Sequence, residues 1–176
     1  PPRAEALAAA ERLAIDFGDA AELADKAGRA LAAFAAPTMW ALLRGRGVFR
    51  GSGPAAPVAF MYTGQGSQYV NMLSGLRAAE PIVAERFVEA DRVMTPLLGR
   101  SLSSYIFVDG GDPAAVQQLE QQLLQTEITQ PAVLATDLSL TRLLAAYGIA
   151  PDMVMEHSLG EYGALVAAGS LTLEAA

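Results

Sequence analysis

Apolar residues recur along this chain at two different periods, and each period predicts its own kind of element. In residues 3–15, an alanine-rich stretch sets Leu7, Ala10, Leu13 and Ala14 three to four positions apart, the repeat of one helical face. In residues 19–34, Leu23, Ala27, Leu31 and Phe34 form a second such face, with Asp19 placed to cap its N-terminus and Pro37 beyond its end. Trp40, Leu42 and Leu43 lead into Arg44, Arg46 and Arg50, which read as a solvated or interdomain basic face. Gly51, Gly53, Pro54 and Pro57 then mark a loop or linker.

The pattern changes after Pro57. Residues 58–62 are a short apolar run between turn signals, the signature of a buried strand, and a helix is expected from Tyr69. Residues 81–95 place Val83, Phe87, Ala90 and Met94 on one helical face, with Pro96 as the stop. Residues 113–125 form an amphipathic, glutamine-rich helix. Thr129 is expected to cap a long helix through Pro131 and Leu134 to Tyr147, with Gly148 after it. Residues 152–156 read as a second buried strand around Met153, Val154 and Met155. A turn follows at His157-Ser158-Leu159-Gly160, then a helix over 161–168 ending at Gly169. Thr172 opens what reads as the first turn of a further helix. Strand, helices, strand, helix is the rhythm of an α/β fold with a parallel sheet.

Composition narrows the chemistry. The chain has 176 residues, 52% hydrophobic and 18% charged, which is enough apolar side chain for a core. Cysteine is absent, so disulfides, thiol catalysis and cysteine-ligated metals are excluded together. His157 is the single histidine. A multi-histidine metal site cannot be built from this sequence, and a Ser–His pair within it would have to use that residue. The net charge is −7 and Lys26 is the sole lysine, which argues against the basic footprint of a nucleic-acid binder. No apolar run reaches the roughly 18 residues of a membrane span. The N-terminus lacks a signal-peptide pattern. The expectation is a soluble cytoplasmic segment, with both ends reading as cut from a longer chain.

The sharpest local feature is the segment from Met155 to Glu161. Ser158 lies between a strand and a helix, with Gly160 two places after it, the arrangement that pushes a nucleophilic hydroxyl out of a sheet. The helix start that follows offers free N–H groups, among them that of Leu159, to a developing oxyanion. Gly64-Gln65-Gly66-Ser67-Gln68 also follows a strand. It lacks the third glycine of a dinucleotide fingerprint and the Lys-Ser/Thr of a P-loop. Gly64 and Gly66 permit close backbone approach to a ligand, and the Gln65 N–H is a natural second oxyanion donor. On these residues alone, ordinary turn chemistry remains open for both segments.

Thr63-Gly64-Gln65-Gly66-Ser67-Gln68, Thr129-Gln130-Pro131-Ala132 and His157-Ser158-Leu159-Gly160-Glu161-Tyr162, in that order, resemble the malonyl-CoA:acyl-carrier-protein transacylase family. That family includes the acyltransferase domains of type I polyketide, fatty-acid and polyunsaturated-fatty-acid synthases. The resemblance covers residues 57–176, the N-terminal part of the family's catalytic domain, incomplete at its C-terminus. Residues 1–56 are similar, more loosely, to the linker that joins ketosynthase to acyltransferase. The implied fold is an α/β-hydrolase-like parallel sheet core preceded by a mainly helical linker.

The resemblance also implies roles. Ser158 would be the nucleophile that takes an acyl group, malonyl by the leucine at 159, from coenzyme A and passes it to the phosphopantetheine thiol of an acyl carrier protein. Gln65 and Leu159 would supply the oxyanion hole, while His157, Gly64, Gly66 and Gly160 would shape the motifs. No tightly bound cofactor is implied. The implied partners are the acyl-CoA, the carrier protein, and the ketosynthase and other domains of a synthase.

Two departures stand out. Glu156 occupies the position where the family usually has glycine. The family's base histidine, its carboxylate-binding arginine and its ferredoxin-like subdomain would fall after Ala176, so this chain alone is expected to be inactive or nearly so. His157 is not expected to be the base, because adjacent side chains at a tight turn diverge. Two other readings remain: a serine esterase or thioesterase of α/β-hydrolase type, and a non-catalytic acyltransferase-like docking fragment.

Overall fold

The computed structural model describes residues 3–54, 56–110 and 112–176, and the chain divides into two units, Pro1–Ala56 and Pro57–Ala176. The first unit contains α1 (Ala4–Ala8), β1 (Glu11–Ile15), α2 (Ala20–Ala33), α3 (Met39–Arg44) and β2 (Val48–Ser52). The single helix expected over 3–15 therefore stops at Ala8. Its second half becomes a strand paired antiparallel with β2, with Ile15 opposite Val48 and Leu13 opposite Arg50. Long-range pairing overrides alanine-rich helix propensity here, because it lets Ile15 pack on the cluster of Ala30, Ala33, Leu43 and Val48.

β2 also replaces part of the expected loop. Arg50 is not simply solvated: it pairs with Glu11 at 2.9 Å, and its guanidinium lies 5.0 Å from the Phe34 ring centroid and 5.3 Å from that of Trp40. α2 begins as expected, with the Asp19 carboxylate accepting the Glu22 N–H at 2.8 Å. Its buried stripe ends on Ala30 and Ala33, however, while Leu31 and Phe34 are exposed. Small side chains let the helix approach α3 and β1 closely, which leaves the larger residues facing outward.

The second unit contains β3 (Ala59–Tyr62), α4 (Ser74–Ala79), α5 (Pro81–Leu98), α6 (Ser103–Ile106), α7 (Pro113–Leu123), α8 (Thr126–Ala146), β4 (Met153–Glu156) and α9 (Gly160–Ala167). β3 and β4 pair in parallel, from Ala59 opposite Met153 to Tyr62 opposite Glu156. Their positions match expectation but their burial does not. Tyr62 is buried, whereas Met61 is 76% exposed and Met153 and Met155 are exposed as well. α9 packs against both strands and covers the Tyr62 side. The core lies elsewhere, where Val83, Phe87 and Ala90 of α5 meet Ile128, Ala132, Ala135 and Leu143 of α8, joined by Leu102 and Ile106.

Several boundaries shift for physical reasons. Helix α4 starts at Ser74, not Tyr69, because Asn71 and Leu73 take left-handed φ of 62° and 60°. The Asn71 side chain holds that turn through Val108, accepting its N–H at 2.9 Å and donating to its carbonyl at 3.3 Å. α5 runs through Pro96 to Leu98 and ends at Gly99, whose φ of 77° supplies the stop. Thr129 is no cap: α8 begins at Thr126, and Thr129 is buried inside it with its hydroxyl donating to the Leu123 carbonyl. Near the C-terminus, Thr172 accepts the Ala175 N–H at 3.2 Å and closes one turn. Among the described residues, no helix is long and apolar enough to cross a membrane.

Candidate active site

Parallel pairing brings the C-terminal ends of β3 and β4 side by side, and both sequence motifs emerge there. β4 makes its last pairing bond from the His157 N–H to the Tyr62 carbonyl at 3.2 Å. α9 starts at once, with Gly160 N–H on the His157 carbonyl at 3.0 Å and Glu161 N–H on the Ser158 carbonyl at 3.1 Å. Ser158 absorbs the reversal with a φ of 55°. A left-handed non-glycine residue of this kind stores about 1–2 kcal/mol of strain, which the surrounding contacts must hold.

Those contacts depend on missing side chains. A Cβ on Gly160 would overlap the Tyr62 carbonyl and come within 3.0 Å of the Thr63 carbonyl oxygen; one on Gly163 would stand 2.8 Å from Tyr62 Cδ1. Helix α9 can therefore lie directly on the end of β3. A Cβ on Gly64 would stand 2.9 Å from both His157 Nδ1 and the His157 carbonyl oxygen, and 3.3 Å from Ser158 Cβ. The Gly64 loop is thus packed on the Ser158 turn. Gly66 is needed for a different reason: space around it is open, but its φ is 105°.

The loop is braced internally. Ser67 donates to the Gly64 carbonyl at 3.0 Å and lies 3.0 Å from the Thr63 hydroxyl, while Gly66 N–H donates to Gln68 Oε1 at 2.8 Å. Gln68 reaches the Leu123 carbonyl at 3.5 Å, the same carbonyl that takes the Thr129 hydroxyl. That shared acceptor links the middle motif to the first. The Gln65 and Leu159 backbone N–H groups have no protein acceptor among the described residues.

His157 is exposed, with its imidazole turned to Gly64. Glu156 is exposed too, and lines a hollow of 240 Å³ with Val154, Glu161, Ala164, Leu165 and Ala168. Alanine at 164 and 168 leaves room for a glutamate where a crowded turn would otherwise want glycine. A larger cavity, of 480 Å³, opens beside Leu159; Met94, Leu97, Gln130, Leu134 and Tyr162 line it with Leu159. Its wall is mainly apolar, and Gln130 from the middle motif faces it together with Leu159 from the last.

One residue escaped the sequence reading. Asp137 of α8 has its carboxyl pushed up to about 6 by burial, with Thr63 pulling it partway back. Burial also raises the neighbouring Tyr62 phenol, whose hydroxyl lies 2.8 Å from Thr141 Oγ1. The available signal was an aspartate at the middle of a long, largely apolar helix, four residues ahead of Thr141. Among the described residues, no three side chains converge as a metal cradle.

The family model described as "Acyl transferase domain" matches residues 59–176. The chain belongs to this acyl transferase family. A curated relative, the mycoketide-CoA synthase of Mycobacterium tuberculosis, is 40% identical over 131 residues, covering 74% of this chain and 3% of that protein. Among solved structures, the acyltransferase domain from the second module of the salinomycin polyketide synthase is 30% identical with a TM-score of 0.66. The match covers 93% of this chain and 34% of that one. A malonyl-transacylase solved in complex with its type II polyketide acyl-carrier protein is 36% identical with a TM-score of 0.57, covering 68% of this chain and 35% of that one. This acyl transferase chain therefore spans about a third of the solved chains it matches and a few per cent of the curated synthases. Its mixed α/β architecture is that of acyltransferase domains.

Proposed function

We propose that this chain carries the nucleophile half of an acyltransferase that moves a malonyl group from coenzyme A to an acyl carrier protein in polyketide synthesis. Residues 1–56 would be the linker from a ketosynthase, and residues 57–176 the N-terminal part of the catalytic domain. The observation that carries the reading is the left-handed Ser158 at the β4–α9 turn, with the Gly64 loop packed against it. Such a turn is a nucleophile elbow.

In the first half-reaction the Ser158 hydroxyl attacks the thioester carbonyl and gives up its proton to a base. The resulting tetrahedral oxyanion is held by the Gln65 and Leu159 N–H groups, both without a protein partner among the described residues. Collapse breaks the C–S bond, coenzyme A leaves as its thiol after reprotonation, and the acyl group stays on Ser158 as an ester. In the second half-reaction the phosphopantetheine thiol attacks that ester and restores the serine. The cavity beside Leu159 is the natural space for the acyl group or pantetheine arm. His157 adjoins Ser158 at a tight turn, where neighbouring side chains diverge, so on this reading the proton acceptor would come from residues outside this sequence. The 176-residue chain by itself would load poorly.

Labelled malonyl-CoA should load the intact acyltransferase domain, and Ser158→Ala should abolish loading. Loading by the Ala variant would overturn the assignment. Release of free malonate without transfer to a carrier thiol would instead favour an esterase.

A further inference from the structure

We infer that Ser67 is a positioning residue for the oxyanion donor at Gln65: its hydroxyl holds the Gly64 carbonyl, and with it the peptide plane that carries the Gln65 N–H. The inference rests on the acyl-transfer reading above and adds a role for a motif residue to which that reading assigns none.

Gln65 is exposed, so side-chain packing does not set the direction of its N–H. Hydrogen bonds to its neighbours do. The Gly64 C=O and the Gln65 N–H belong to one planar trans peptide and point in opposite directions. Ser67 Oγ donates to that carbonyl at 3.0 Å, which pins the plane at the end opposite the N–H. Ser67 Oγ also lies 3.0 Å from Thr63 Oγ1, a second contact that holds the side chain in the rotamer from which it donates.

The next plane, which carries the Gly66 N–H, is pinned by Gln68 Oε1 at 2.8 Å. Gln68 is itself anchored on the Leu123 carbonyl at 3.5 Å, at the end of α7. Both peptides flanking Gln65 are thereby held, while the Gln65 N–H keeps no protein acceptor among the described residues. The first plane also adjoins the serine turn, since a Cβ on Gly64 would stand 3.3 Å from Ser158 Cβ.

Two effects on rate follow. An oxyanion donor misplaced by a fraction of an ångström loses much of its effect, so holding the plane preserves alignment. A hydrogen bond accepted at the carbonyl also polarises the amide and strengthens its N–H as a donor. Ser67 is exposed, so its hydrogen bond adds little to stability, and its effect on rate is separable from folding.

The test is single-turnover acylation of Ser158 by malonyl-CoA in the intact acyltransferase domain, run beside thermal unfolding of each variant. Ser67→Ala should lower the acylation rate constant about tenfold, less than the loss of a donor outright, because the Gln65 N–H remains but is loosely held. Half-saturation by malonyl-CoA should stay within about twofold and Tm within about 2 °C of wild type. Ser67→Thr, which keeps the hydroxyl, should restore the rate constant to within about threefold of wild type. A rate constant for Ser67→Ala within about twofold of wild type, while Ser158→Ala abolishes loading, would overturn this inference and leave the serine assignment standing. So would a loss that Ser67→Thr does not restore, one that appears in half-saturation instead of the rate constant, or one that only tracks a lower Tm. Loading by Ser158→Ala would instead remove the acyl-transfer reading itself.

Discussion

The strand pairs β1–β2 and β3–β4 are of similar size but are held together in different ways. β1–β2 is joined by what its side chains add: Ile15 over buried Val48, Glu11 to Arg50, and Arg50 over Phe34 and Trp40. β3–β4 ends in two turns that are joined by what their residues lack, since Gly64, Gly160 and Gly163 leave no room for a Cβ. A structure made of added contacts loses stability by degrees when one is removed. A structure made of close backbone approach fails abruptly when an atom is inserted. On the proposed function, the second design suits a place where the Ser158 hydroxyl and the Gln65 and Leu159 N–H groups would have to be held within fractions of an ångström.

Substitutions that probe this contrast should rank accordingly. Gly160→Ala should have the largest effect, because the new methyl overlaps the Tyr62 carbonyl, a backbone atom that cannot swing away. We expect a loss of about 3 kcal/mol or more, read as a collapse of the urea midpoint, and loss of acylation with it. Wild-type stability in this variant would break the comparison.

Val48→Ala should come next. It removes two buried methyls from the cluster under β2 and should cost about 2 kcal/mol by denaturant unfolding, with Ser158 acylation unchanged.

Asp137→Asn should act in the opposite direction. The folded pKa of about 6 lies above the ordinary aspartate value of 3.8, so the folded state binds the proton more tightly than the unfolded chain. Wild type therefore loses stability as pH rises through that window, and the loss is complete above it. The Asn variant should be more stable by about 1–2 kcal/mol at pH 7–8, after allowance for the partly open site, and the difference should vanish below pH about 4. Parallel urea melts at pH 4 and pH 8 check this; an Asn variant less stable at pH 8 contradicts it.

Glu11→Gln should be the smallest change. It removes an exposed ion pair and should leave the unfolding midpoint nearly unmoved, with any residue of an effect gone in 1 M salt.

The same contrast explains what could be read from the sequence. β3, β4 and the α5 stripe of Val83, Phe87 and Ala90 were legible because their signals are local: short apolar runs bounded by glycine and proline, and a period of three to four. Among the motif residues, Gly64, Gly66 and Gly160 were legible because glycine serves a backbone need at each: close approach at 64 and 160, and a left-handed φ at 66. β1 was not, because its partner lies some 35 residues away in sequence and its alanines favour helix until that partner arrives. The exposure of Met61, Met153 and Met155 was missed because an apolar run fixes an element's type without saying how many faces are covered. Thr129 looked like a cap because threonine before Gln-Pro usually is one; its hydroxyl instead reaches back to Leu123. Asp137 was invisible because the burial that shifts its carboxyl is decided by how the fold covers α8, not by its neighbours in sequence.

The central claim is that Ser158 carries the acyl group. The most direct test is mass analysis of the intact acyltransferase domain after brief exposure to malonyl-CoA, followed by proteolysis and mapping. The account predicts one malonyl group per chain, on the peptide containing Ser158, lost on addition of a phosphopantetheinylated carrier protein and absent from Ser158→Ala. Malonyl found on another residue, or equally on the Ala variant, would contradict it.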